Sequence, residues 1–269
     1  LRFSNITPIV GPSGSKKTFT LDLLWYAITG KWASYQITDG RIAYLEMVTS
    51  RDVTSAKYHH GEWHYNSTPE NIDVRLGNKT AGEKPNLPVI YLRDDRIAVH
   101  DTGFPVNVYP KIFEHDSIYH NTKNASGLLF DFATWAYNDN LNKEISSVIQ
   151  MLFGSQYLGL AQGYTKLSLL DARAIPQLNT KNGRVSVPYL PYHMRRVLAL
   201  VYSIFLIREE RSSLKNFTDQ KKEINDSPLL ILVDGIHELG GIRLLESASL
   251  LSNIIGSPIQ WVVTSRKRL

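Results

Sequence analysis

Apolar positions along this chain switch between two spacings, and the switches mark its elements. Residues 6 to 10, Ile-Thr-Pro-Ile-Val, form a short β-branched run that stops at Gly11; Leu21, Leu23, Leu24, Trp25, Ala27 and Ile28 then recur at helical spacing up to Gly30. The order is strand, loop, helix. Between Gly40 and about Val99 the pattern shortens into alternating stretches, Arg41 to Met47 and Lys57 to Tyr65, with turn residues at Asp39-Gly40 and His60-Gly61. An antiparallel β subdomain over 40–100 is expected. Within it, the polar stretch Asn71 to Pro88 reads as a surface loop that leads into a buried strand at Pro88 to Leu92, and Gly103 to Asn124 reads as irregular.

From Gly127 to Phe153, Leu128, Leu129, Phe132, Trp135 and Ala136, then Ile145, Val148, Ile149 and Leu152, predict two helices separated at Asn138-Asp139-Asn140. A longer helix is expected from Tyr192 to Arg211, with Val197, Leu198, Val201, Ile204 and Phe205 facing inward. Together these make a helical lobe over 127–210, followed by a polar linker from Ser212 to Asp226. Leu229 to Val233 is an unbroken apolar run of the kind a central parallel strand shows, and Asp234 ends it. A helix through Ile242 to Ile255 and a strand at Ile259 to Thr264 complete a βαβ unit over 228–269. The expected fold class is α/β, as one domain over 1–269: a central sheet, an antiparallel β layer and a helical lobe.

Composition narrows this only slightly. With 43% hydrophobic residues the chain can bury a sizeable core, and without cysteine it has neither disulfides nor thiolate metal sites. No apolar run approaches the roughly 20 residues that span a bilayer, and the first residues lack the regions of a secretory signal. No membrane partner and a cytoplasmic location are expected. The formal charge of +5 permits an acidic partner such as nucleic acid without requiring one.

The chemistry concentrates in two places. Gly11-Pro12-Ser13-Gly14-Ser15-Lys16-Lys17-Thr18 stands between an apolar strand and a helix, where a glycine-bearing loop can wrap backbone N–H groups around phosphates. Lys17 would reach the β- and γ-phosphates of ATP, and the Thr18 hydroxyl would ligate Mg²⁺ together with the strand-ending Asp234. Lys16 occupies the position at which this motif carries a further glycine. Elsewhere, His59, His60 and His64 lie among Tyr58, Trp63 and Tyr65, and cross-strand pairing is expected there rather than a metal. Asp94-Asp95 reads as a turn.

The loop resembles that of ATP-binding-cassette-type ATPases of the RecF and SMC class, in which glycine, proline and asparagine or serine precede Gly-Ser-Gly-Lys-Ser/Thr. The segment Val187 to Leu200 is similar to the signature stretch of a bacterial, defence-associated group of ATPases placed in the AAA family, where Ser-x-Gly-Met-Arg-Arg opens a long apolar helix. Counterparts of the Walker B and switch strands are Leu229 to Asp234 and Trp261 to Ser265. The resemblance implies a P-loop NTPase fold that holds ATP and Mg²⁺. It implies a homodimer or higher oligomer in which His193 and Arg195 approach the nucleotide of the facing subunit, and DNA or an effector nuclease as partner.

Against that pattern, Gly235 stands where a glutamate polarises the attacking water, Arg266 where a histidine senses the γ-phosphate, and His193 where the signature has glycine. Nucleotide binding with weak hydrolysis is therefore expected, because a positioned base is worth roughly 10²–10⁴-fold in rate. A pseudo-ATPase with a regulatory role and a nucleic-acid module that has lost nucleotide are the alternative readings. Arg195-Arg196 fits either a phosphate contact across a dimer or an exposed basic helix face.

Overall fold

A computed structural model describes residues 6–29, 43–48, 52–59, 62–69, 88–93, 96–100, 111–114, 127–165, 175–215, 228–239 and 241–266. The chain divides into two compact units, Leu1–Lys17 with Pro88–Leu269, and Thr18–Leu87. Among the described residues no helix is long and apolar enough to cross a membrane.

Most of helix α1 (Lys17–Thr29) and a three-stranded antiparallel sheet make up the smaller unit. Leu21, Trp25 and Ile28 of α1 are buried and, four and three residues apart, fall on one helical face. The sheet runs β2 (Ala43–Val48), β3 (Asp52–His59), β4 (Glu62–Pro69), with Lys57 in register with His64 and His59 with Glu62. They overlap the alternating stretches Arg41 to Met47 and Lys57 to Tyr65, while residues 52–56 and 66–69 extend beyond that reading. His60 lies outside the described residues.

The larger unit is built on a six-stranded sheet. Its order is β1 (Ile6–Val10), β12 (Ile259–Ser265), β11 (Leu229–Val233), β5 (Val89–Leu92), β6 (Arg96–His100), β7 (Lys111–Glu114). The first four are parallel; β6 and β7 continue antiparallel. β5 and β11 are buried along their whole length, which explains why both read as unbroken apolar runs. β1 pairs with β12, and Pro8, which lacks an N–H, is accommodated at that edge of the sheet.

One core joins this sheet to α2 (Leu128–Trp135), α3 (Asp139–Phe153) and α4 (Tyr192–Lys215). Trp135 and Phe132 pack their rings against Tyr202, and the Tyr202 hydroxyl donates to Asp131 Oδ2 at 2.7 Å, fixing α2 to α4. A hydrogen bond to a charged acceptor contributes about 1.5–3 kcal/mol. Asn138 breaks the helical pattern because its side chain caps α3, accepting from the Asn140 and Leu141 amides at 3.2 Å.

Four features differ from the sequence-based expectation. Val89–Leu92 and Arg96–His100, expected within the antiparallel subdomain over 40–100, belong instead to the six-stranded sheet of the larger unit, with β5 parallel to β11. The helical lobe also carries a three-stranded antiparallel sheet, β8 (Tyr157–Thr165), β9 (Ile175–Thr180) and β10 (Gly183–Ser186). The helix expected through Ile242 to Ile255 is two short ones, α5 (Gly241–Glu246) and α6 (Ala248–Ile255). Buried Ser247 separates them, its hydroxyl turned back onto the Leu244 carbonyl at 2.6 Å in competition with the helical ladder. Within the stretch read as irregular, Lys111–Glu114 forms β7, a four-residue strand that exists through pairing with β6; the rest of that stretch lies outside the described residues.

Candidate functional site

Because β1, β12 and β11 are parallel, their C-terminal ends open on the same edge of the sheet. Val10 is level with Ser265 and Val233 with Val263, so Gly11, Arg266 and Asp234 all follow within one or two residues of that edge. Strands lie about 4.8 Å apart, which sets β1 and β11 roughly 10 Å from one another across β12. The loop after β1 is anchored at its start by the Gly11 amide, which donates to the Ser265 carbonyl at 3.2 Å.

The loop is a tight turn around a lysine. Ser15 N donates to the Pro12 carbonyl at 3.3 Å. The Lys17 ammonium donates to the carbonyls of Gly11 and Pro12, both at 2.7 Å, and to Ser15 Oγ at 3.2 Å. All three of its protons can thereby be used inside the loop. A side chain at position 11 would collide with this arrangement, since a Cβ there would lie 2.6 Å from Ser15 Oγ. Pro12, Ser13, Gly14, Ser15 and Lys16 are exposed. No acidic residue interrupts the loop, so Lys16 and Lys17 give it a positive field.

Lys16 carries φ 60°, and among the described residues it alone combines a side chain with left-handed backbone. That conformation costs a side-chain-bearing residue roughly 1–2 kcal/mol. Lysine thus stands in a backbone conformation that favours glycine. Thr18 follows in the first turn of α1, half-buried, and belongs to the smaller unit.

Asp234 ends β11 and is held from several sides. Its amide donates to the Leu92 carbonyl at 2.9 Å, and its Oδ1 accepts from the Thr264 hydroxyl at 2.6 Å. Its own carbonyl accepts from Arg196 Nη2 at 3.5 Å. Gly235 then turns the chain with φ 70°, and its amide donates to the same Thr264 hydroxyl at 2.8 Å. A glutamate at 235 would have to adopt left-handed backbone, which gives a local physical reason for glycine there.

The two readings of Arg195-Arg196 both fail for Arg196. It is 1% exposed and reaches the Asp234 carbonyl of its own chain, so it is neither an exposed basic face nor available to a facing subunit. Arg195 is half-buried, with its guanidinium 5.9 Å from the Tyr192 ring centre, and His193 is exposed in the first turn of α4. Arg266 is exposed directly after Ser265, the residue that anchors Gly11. Asp94 and Asp95 lie outside the described residues.

Sequence reasoning missed Thr264 as a residue with a role of its own. Its one signal was a hydroxyl following the apolar run Trp261-Val262-Val263. Among the described residues no group of three or more His, Cys, Asp or Glu side chains could hold a metal ion. Magnesium does not require such a group, because it commonly takes one or two carboxylates and completes its shell with water and substrate phosphates. A single oriented Asp234 at the loop's edge of the sheet fits that donor chemistry. No protein-family model matches this chain, and no curated protein is significantly similar to it.

Proposed function

We propose that the Gly11–Lys17 loop holds the phosphates of a nucleoside triphosphate, ATP by resemblance, with Mg²⁺ at Asp234, and that binding rather than rapid turnover is the activity. The observation that carries this reading is the Lys17 ammonium curled into its own loop at the sheet edge where Asp234 also ends its strand. Carbonyls hold the ammonium in place; phosphate oxygens, being charged acceptors, would draw it outward with stronger hydrogen bonds. The cation would neutralise phosphate charge beside Asp234. Lys16 and Arg266 add positive charge on the same side.

Slow hydrolysis follows from Gly235, whose position offers no carboxylate to polarise water. This favours a nucleotide-gated switch, with a pseudo-ATPase as its limiting case. In that switch two copies close around two nucleotides, His193 and Arg195 of each meeting the other's phosphates, and DNA or an effector nuclease reads the closed state. ATP can shift such an equilibrium only through tighter binding to the closed form. Calorimetric titration tests the site itself. Lys17→Ala should weaken ATP binding roughly 10–100-fold, in line with loss of hydrogen bonds from a charged group, and Asp234→Asn should remove only the part that depends on Mg²⁺. Unchanged affinity in both variants would remove the basis for the reading.

A further inference from the structure

One hydroxyl controls both the carboxylate and the turn that follows it. Thr264 is 1% exposed, and its Oγ1 accepts from the Gly235 amide at 2.8 Å while lying 2.6 Å from Asp234 Oδ1. A hydroxyl has a single proton to give. With the amide as donor on one side, that proton goes to the carboxylate, and the chain runs Gly235 N–H to Thr264 O–H to Asp234 Oδ1. The 2.6 Å separation falls in the range of O–H···O⁻ bonds.

Thr264 also sits at a junction. It lies on β12, between β11 and β1, and its neighbour Ser265 accepts the Gly11 amide that starts the loop. Consecutive residues of one strand therefore hold Asp234 on one side and the loop on the other. We infer that Thr264 is the positioning residue for the cation: it fixes the rotation of the Asp234 carboxylate and the left-handed turn at Gly235, and sets both in register with the loop. The inference rests on the proposed nucleotide and Mg²⁺ reading.

Thr264→Val keeps the shape and removes the hydroxyl, whereas Thr264→Ser keeps the hydroxyl. The test measures ATP affinity in EDTA and in Mg²⁺ for the wild type and both variants. The expected result is near-wild-type binding in EDTA for Thr264→Val, with the Mg²⁺-dependent gain reduced on the order of 10- to 100-fold, and recovery of most of that gain in Thr264→Ser. A second readout needs neither ligand. Hydrogen exchange of the Gly235 amide, followed by NMR, should be slow in the wild type and Thr264→Ser and fast in Thr264→Val. A full Mg²⁺ gain in Thr264→Val overturns the inference and leaves the nucleotide reading standing. Equal loss in EDTA and Mg²⁺ from a folded Thr264→Val also overturns it, because the residue would then support the whole loop. Wild-type protein with no affinity for ATP removes the nucleotide reading and this role together, even where Gly235 exchange confirms the hydrogen-bond chain.

Discussion

Lys16 and Gly235 each occupy left-handed backbone, and only one of them is glycine. The asymmetry gives two predictions. Lys16→Gly should relieve strain and raise stability by about 1 kcal/mol, the net of roughly 1–2 kcal/mol released and the greater freedom glycine gains when unfolded. Thermal denaturation would show this as an increase of about 2–4 °C. Gly235→Glu, designed to supply the missing base, should lower stability by about 1–2 kcal/mol for the same steric reason and raise ATP turnover far less than the roughly 10²–10⁴-fold a well-placed base provides. Turnover rising through that whole range with unchanged melting would show that the turn accommodates a side chain. At this scale the sequence disclosed residue types and hid conformations. The departures at 16 and 235 were legible, but their φ values were not, and the inward path of Arg196 was hidden by its adjacency to Arg195.

Elements with one strong period were legible, and elements defined by pairing were not. α2, α3 and α4 follow apolar spacing, and β5 and β11 are apolar runs that a buried parallel strand requires. β8 resisted reading because Gly159 and Gly163 interrupt its alternation and its register against β9 shifts twice. Gly159 has a packing reason. A Cβ there would fall 2.2 Å from Ser146 Cβ on α3, and the residue adopts φ 116°. Gly159→Ala must therefore push β8 from α3, and should cost about 3 kcal/mol, at the upper end of overpacking effects. Urea unfolding should show a lower midpoint with an unchanged slope. A loss below about 0.5 kcal/mol, the scale of ordinary surface changes, would mean that α3 and β8 separate freely.

At the scale of the molecule, the α/β class was legible from the succession of elements, whereas the strand order was not. Nothing in periodicity says that β12 inserts between β1 and β11, yet this insertion lets Ser265 anchor the loop while Thr264 binds Asp234. Residues more than 200 positions apart thereby meet one edge, through pairing energies that a local window does not contain. The nucleotide reading stands or falls on whether that edge binds polyphosphate and cation together. The most direct measurement is the affinity of the wild-type protein for ATP with Mg²⁺ and with EDTA. Saturable binding that tightens with Mg²⁺ is predicted; no saturable binding under either condition, or binding indifferent to the cation, contradicts it.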